Sequence, residues 1–532
     1  MITDGSDSRG PKKKRSLRTT IALVAGVAAV GYVLKEVHWA YTAAPKPTVD
    51  YAAKMNAVVR SNWDSTSPGQ PNRWPEFATL LADLKSSHER FAAGRGPQPE
   101  GWSKDETWPT DYGAVRAPKP GDSRDRITAR AAARDGLKVF AAEGLLQRLD
   151  GVVEYTRAFR EIPEGDPAKS EGLMGVLLPE LADARHAARV NSARMEFALE
   201  EGRTDEYLRA FKSLLVTGDI LSRQATLIDR LVGIAIHAMA TSRLREHARD
   251  GRLDVPTMET VLALLETTER SIPPTTLQLK AERYFSLDAV QRCYEEGSGG
   301  RFVPTAYDAF MRPSLESMGT QPSTTPASGL KNLTAVVMPR RGVAEARFNE
   351  LWDRTIEWAD LSRAARAGSA INPDQTIAEL TTNDRGMPLV VALMPAVGRY
   401  VETVDQIGVD RAGTRVLVAV ELFRVRHGRL PAALTELVPG EFSDLPLDLY
   451  AADGQFRYFA LPDIDPTATN TDPAANPKPT AANHPLPYVL YSVGRDGSDD
   501  GATSDFYGPE RGVLNSPATR KGTDWVITRP TK

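Results

Sequence analysis

Between residues 127 and 296 apolar side chains return every three or four positions almost without interruption, a period that only helices satisfy. Leu178, Leu181, Ala182, Ala184, Ala188, Met195 and Ala198 form one such stripe; Leu208, Phe211, Leu214 and Leu215 form the next. Leu227, Leu231, Ile234, Ala235, Ala238 and Met239 form a third. Two breaks share a signature, Glu201-Gly202-Arg203-Thr204-Asp205 and Asp250-Gly251-Arg252-Leu253-Asp254. Each glycine suits the left-handed conformation that stops a helix, and Thr204 or Asp254 can cap the helix that follows. Two matching loops predict stacked helical hairpins. Pro273-Pro274 breaks the next pair, and 276–296 is a further helix carrying Cys293.

The N-terminus places this body. Lys12-Lys13-Lys14-Arg15 and Arg18 precede an apolar run at 19–34, with Trp39 and Tyr41 beyond it. Basic residues stay on the cytoplasmic side, and Trp and Tyr favour the far interface. The run is short, but 37–41 can extend it while Lys35 and Glu36 snorkel. The reading is an uncleaved single-pass anchor at 19–41 after a cytoplasmic basic tail at 1–18, with the bulk of the chain periplasmic or otherwise extracytoplasmic. The competing reading, a signal cleaved after Thr42-Ala43-Ala44, puts Pro45 at an unfavourable position.

Proline punctuates 42–124, which reads as a stalk of short helices. Trp63, Trp74, Trp102 and Trp108 there are expected to wedge loops onto the neighbouring domain rather than to form a binding surface. The helical body is 125–296, a Pro/Ser/Thr-rich linker covers 297–343, and helices resume over 344–413. The apolar stretch 387–397 is shorter than a span and holds Pro395, so it reads as a buried helix.

Motifs for chemistry are sparse. There is no phosphate-cradling glycine loop, no G-x-S-x-G elbow and no H-E-x-x-H. A net charge of −3 and the lack of a basic stripe with interleaved aromatics give no pull toward nucleic acid. Cys293 is the only cysteine, which rules out an intramolecular disulfide and a cysteine zinc cluster. Of the seven histidines, His237 and His247 share a helix, but ten residues of separation is too far for one metal ion. Ser328-Gly329-Leu330-Lys331 fits the S-x-x-K pattern without its partner motifs. Paired carboxylates such as Glu200-Glu201 sit at helix ends and read as solvated.

The C-terminal residues 414–532 are the most specific stretch. An amphipathic run through Val416, Leu417, Val420, Leu422 and Phe423 ends at His427-Gly428-Arg429-Leu430-Pro431. Leu434, Leu437 and Val438 follow, then Leu445-Pro446-Leu447-Asp448, strand-like 455–459, and Tyr488-Val489-Leu490-Tyr491-Ser492-Val493-Gly494-Arg495-Asp496-Gly497. Asp524-Trp525-Val526 closes the segment. This order resembles the globular domain of the major pseudopilin of type II secretion systems. In that family a helix ends in a G-x-Y-P turn, a short helix and a P-x-D-P-W-G loop lead into a small sheet, and an S-x-G-x-D-G loop binds calcium. Here the turn aromatic is Leu430, the loop continues as Leu449-Tyr450-Ala451, and the anchor is not the start of this helix. The module therefore reads as a reused domain.

The resemblance implies calcium in the loop 496–505, with Asp496, Asp499, Asp500 and Asp505 as candidate ligands. Asp496, Ser498 and Asp500 alternate before Gly501 as in an oxygen-ligand loop, but the twelfth position is Tyr507, which excludes an EF-hand. A solvated acidic turn is the alternative. The expected fold is mainly α: a transmembrane helix, a helical-hairpin body and a small α+β pseudopilin-like C-terminal domain. The expected function is a non-catalytic, membrane-anchored scaffold or binding protein of the bacterial envelope with an envelope protein as partner. The alternatives are an accessory component of a type II secretion or pilus-like system, and an envelope hydrolase whose site is formed only in three dimensions.

Overall fold

The computed structural model describes residues 42–94, 112–118, 122–307, 338–377, 397–461, 487–499 and 524–528, apart from a few isolated positions. Ala502 and a few positions at 31–39 are described as well. The fold is mainly α, with one small sheet among the described residues. No helix among them is long and apolar enough to cross a membrane, and most of the expected anchor at 19–41 lies outside them.

The proline-punctuated segment does not stand off as a stalk. Helix α1 (Tyr51–Thr66) buries Met55, Val59 and Trp63, and α2 (Trp74–Ala93) buries Phe77, Leu80, Leu81 and Leu84. Helical spacing gives each an apolar face, and the prolines fall between or at the ends of the helices, where no backbone donor is missed. Trp63 lies under the Arg223 guanidinium and Trp74 under that of Arg160, so both wedge the segment onto the body as expected. Trp102 and Trp108 lie outside the described residues.

The body continues with α3 (Arg124–Ala142), α4 (Leu145–Gly151), α5 (Glu180–Glu200), α6 (Thr204–Ser222), α7 (Leu227–Arg249), α8 (Val255–Arg270) and α9 (Thr276–Cys293). The two Gly-Arg loops fold alike. Gly202 and Gly251 take φ of 67° and 65°. Arg203 N–H reaches Ala198 O at 2.8 Å, and Arg252 N–H reaches His247 O at 3.0 Å, each closing a Schellman cap. Asp254 caps α8 by accepting from Thr257 N–H, whereas Thr204 is already inside α6 and caps nothing. The paths after the caps differ. α5 and α6 pack side by side, and α6 packs on α7, but α8 leaves α7 to pack on α6 and on the long helix described next. The second loop therefore does not close a hairpin.

After α10 (Arg341–Asp360) and the short α11 (Arg363–Ala367) comes α12 (Val397–His427), which runs unbroken through Thr414. It joins two cores. Its first turns, with Val397, Tyr400 and Val401, lie in a core built with α1, α9 and α10. From Val409 onward it belongs to a second core shared with α2 to α8 and the sheet. The helix ends at Gly428, at φ 67°. A 3-10 turn at Leu434–Leu437 then leads to antiparallel strands β1 (Arg457–Ala460), β2 (Tyr488–Ser492) and β3 (Trp525–Val526), ordered β1-β2-β3. Strand β2 is buried on both faces. Period-two alternation sends Tyr488 and Leu490 into the core under α12, and Val489 and Tyr491 to the opposite face with Ala502.

Candidate functional site

The loop expected to hold calcium begins at the end of β2. Asp499 does not stand open to a metal. Its Oδ1 accepts from the Tyr491 hydroxyl at 2.8 Å and its Oδ2 from Arg457 Nε at 3.1 Å, which ties the loop to β1 and β2. Asp496 Oδ1 accepts from Ser498 N–H at 3.1 Å, closing a local Asx turn. Asp500 and Asp505 lie outside the described residues. Among the described residues no three His, Cys, Asp or Glu side chains converge as a metal site. The Arg457 guanidinium beside Asp499 also works electrostatically against a divalent cation there.

The aspartate that organises this region is Asp448, in the loop before β1. It is 1% exposed. Oδ1 accepts from Ser492 Oγ at 2.9 Å and Tyr450 N–H at 3.0 Å, and Oδ2 accepts from Val493 N–H at 3.2 Å. One side chain thus staples the Leu-Pro-x-Asp loop to the end of β2. Burial pushes its carboxyl above the ordinary range, against the pull of those donors. At the other end of β2 the Tyr488 hydroxyl donates to Glu421 of α12 at 2.9 Å, and Arg424 pairs with the same carboxylate.

The polar groups that look most like chemistry lie between helices. His237 on α7 has Nε2 2.9 Å from Asp219 Oδ1 on α6, and its Nδ1 accepts from Arg411 Nη2 on α12 at 3.1 Å. A donor at Nδ1 leaves the ring proton on Nε2, facing the carboxylate. Burial first, and the Arg411 charge second, push the His237 pKa down to about 4, so the ring is neutral. Burial works against the Asp219 carboxylate as well, but His237, Arg411 and Arg223 outweigh it and hold it below its usual value. The ring thus faces a carboxylate on one side and a guanidinium on the other. This close approach depends on Gly218 and Gly233. A Cβ at Gly233 would come within 2.6 Å of the Gly218 carbonyl oxygen, and one at Gly218 within 2.9 Å of the His237 ring.

His247, one face round on α7, does the same toward the other side. Its Nε2 is 3.0 Å from Glu196 Oε2 on α5 and its Nδ1 is 3.2 Å from the Tyr207 hydroxyl on α6. Arg252 donates to the other Glu196 oxygen at 2.8 Å. All three of Glu196, Tyr207 and His247 are fully enclosed. A third clasp joins α7 to α12. Arg245 donates to Asp410 Oδ1 at 2.7 Å and to Thr414 Oγ1 at 2.6 Å, while Thr241 donates to Asp410 Oδ2 at 2.6 Å. These groups hold helices rather than a substrate. Sequence reasoning placed both histidines on one helix and passed over their carboxylate partners, which come from two other helices, Asp219 from α6 and Glu196 from α5. The signal for them was polar residues set among apolar ones all round α7.

One carboxylate stands differently. Glu282 on α9 accepts from Leu227 N–H, at the start of α7, at 3.3 Å. Burial pushes its pKa up to about 7, and the nearby Asp229 carboxylate adds to the rise. No protein family, curated protein or solved structure matches this chain.

Proposed function

We propose that the chain is a single-pass, membrane-anchored scaffold or binding protein of the bacterial envelope, with its helical body and C-terminal domain outside the cytoplasm and no catalytic role. The observation that carries this reading is how the chain leaves the expected anchor. Trp39 Nε1 donates to Glu295 Oε1 at 2.7 Å, and Gln291 Oε1 accepts from the N–H groups of Thr48 and Val49 at 3.1 Å each. Gln291 Nε2 also donates back to Val49 O at 2.9 Å. The segment after the apolar run is thereby clipped to the end of α9, a mount for a body that must keep a fixed attitude to the membrane. The non-catalytic part is supported by the burial of the acid–histidine groups between helices, with His237 and His247 3% and 0% exposed.

The order of elements after Val409 supports a pseudopilin-like domain: a long helix, a Gly-x-x-Pro turn, a 3-10 turn, an aspartate-stapled loop and a three-stranded antiparallel sheet. That order favours a second reading, an accessory component of a type II secretion or pilus-like system. A calcium ion in this loop would draw on Asp496, Asp499, Asp500 and Asp505, and at Asp499 it would compete with Arg457. An alkaline-phosphatase fusion after Ala44 is expected to be active, and an inactive one overturns the orientation. Affinity purification from detergent-solubilised membranes separates the readings: secretion components among the captured proteins favour the accessory role, and their absence the independent scaffold.

A further inference from the structure

The same mount has a face. Arg301 lies over the Trp39 ring, 3.5 Å from guanidinium to ring centre, so the indole is held between Arg301 and Glu295. Around it the short connection after α9 folds back on itself. Tyr294 pairs with Phe302, Arg341 N–H donates to Gly300 O at 3.0 Å, and Gly342 N–H donates to Ser298 O at 2.9 Å. That pairing brings the start of α10 beside the anchor's exit. The exposed cations Lys46 and Arg340 lie at this point with Arg301, Lys46 beside Glu296 and Arg340 Nη1 on Gly299 O at 3.5 Å. Of the acidic groups near it, Glu295 accepts from Trp39 and Glu345 pairs with Arg341, while the exposed Glu296, 4.0 Å from Lys46, offsets part of that lysine's charge. A tryptophan at the end of a span sits at headgroup depth, and cations at that depth meet lipid phosphates.

We infer that the face formed by Trp39, Lys46, residues 297–301 and Arg340 rests on the bilayer surface and binds anionic phospholipid headgroups, which fixes the body's orientation to the membrane. The inference rests on the anchor proposed above. It goes beyond the anchor because a span followed by a loose linker would leave the body free to turn.

The test uses the full chain in lipid nanodiscs, either of phosphatidylcholine alone or with about one third phosphatidylglycerol. Cys293 is buried, so Ser298→Cys or Ala433→Cys each adds one exposed thiol for a fluorophore. Ala433 lies past the far end of α12, whose 31 residues span about 46 Å. Headgroup-attached nitroxide is expected to quench the label at 298 and spare the one at 433. Phosphatidylglycerol should increase quenching at 298 about twofold, since cations at the surface are drawn to anionic headgroups. Lys46→Glu with Arg340→Glu should abolish that increase. Equal quenching at the two positions overturns the face, and quenching that ignores phosphatidylglycerol overturns its lipid preference. A chain that washes from membranes in alkaline carbonate overturns the anchor and this inference together. A carbonate-resistant chain with an unquenched label at 298 overturns the face alone.

Discussion

At the scale of single residues, stability is concentrated in buried charges that have partners on other helices. Asp410 is 1% exposed and holds Arg245 and Thr241 at once. Asp410→Ala leaves Arg245 buried without its counter-ion and is expected to cost about 3–5 kcal/mol in urea unfolding. Adding Arg245→Met removes the stranded charge and should recover part of the loss; a double variant as unstable as the single would show that the pair is not the cause. Glu282 behaves in the opposite sense. A carboxyl whose pKa is raised to about 7 in the fold contributes fully below its unfolded value near 4.5, and that contribution is lost as pH rises through 7. Glu282→Gln should therefore stabilise the chain at pH 8, by about 1–3 kcal/mol, and lose that advantage near pH 4. Equal effects at both pH values would mean that Glu282 does not titrate in this range. Such residues were legible as letters and not as partners. His237 lies 18 residues from Asp219 and 174 from Arg411, and no local pattern links them.

At the scale of elements, the sequence was a good guide to caps and strands and a poor one to paths. The Gly202 and Gly251 caps, the strands at 457–460 and 488–492, and the closing Trp525-Val526 all follow from local rules of φ, alternation and turn chemistry. Where a helix goes after its cap is set by the faces it must cover. α8 carries an apolar face that fits the seam between α6 and α12, and no local signal reports that seam. The crossing of α6 and α7 is set by two glycines in helix interiors. Gly233→Ala should force the helices apart, at about 1–3 kcal/mol in a denaturation experiment, and should weaken the His237 clasp. An unchanged midpoint would show that the crossing yields freely. In the C-terminal domain, a calcium ion at the acidic loop must compete with Arg457 for Asp499. Arg457→Ala is thus expected to enlarge the rise in Tm on adding millimolar calcium to the whole chain. No calcium-dependent shift in either form would leave the loop as an acidic turn.

At the scale of the molecule, two cores share one helix, and the proline-rich segment read as a stalk is part of both. Composition misleads there, because apolar spacing within 51–66 and 74–93 outweighs the prolines between them. Burial holds His186 and His237 neutral down to about 4, and lowers His88 and His247 as well. Groups with depressed folded values contribute fully above about 6.5 and lose that contribution as pH falls toward 4. Just below pH 6.5 the four histidines outnumber Glu282, while the raised carboxyls of Asp405, Glu421 and Asp448 act in the same sense as Glu282 lower down, so Tm should fall as pH drops from 6.5. A flat profile would show that the rings reach water in the native state.

The continuity of α12 bears on how the chain is made. Residues 397–404 complete a core whose other members begin at residue 51, so that core cannot close until the ribosome has passed Val404, and the second core waits for Tyr488, Leu490 and Ile527. At about 10 residues per second, some 35 s separate the emergence of α1 from that of its last packing partner. An exported chain spends that interval as a row of amphipathic helices with open apolar faces, while crossing a membrane. Export of the proposed kind would make its maturation depend on holdase chaperones on the arrival side, and a depletion strain should then lose this protein before it loses proteins whose cores close locally.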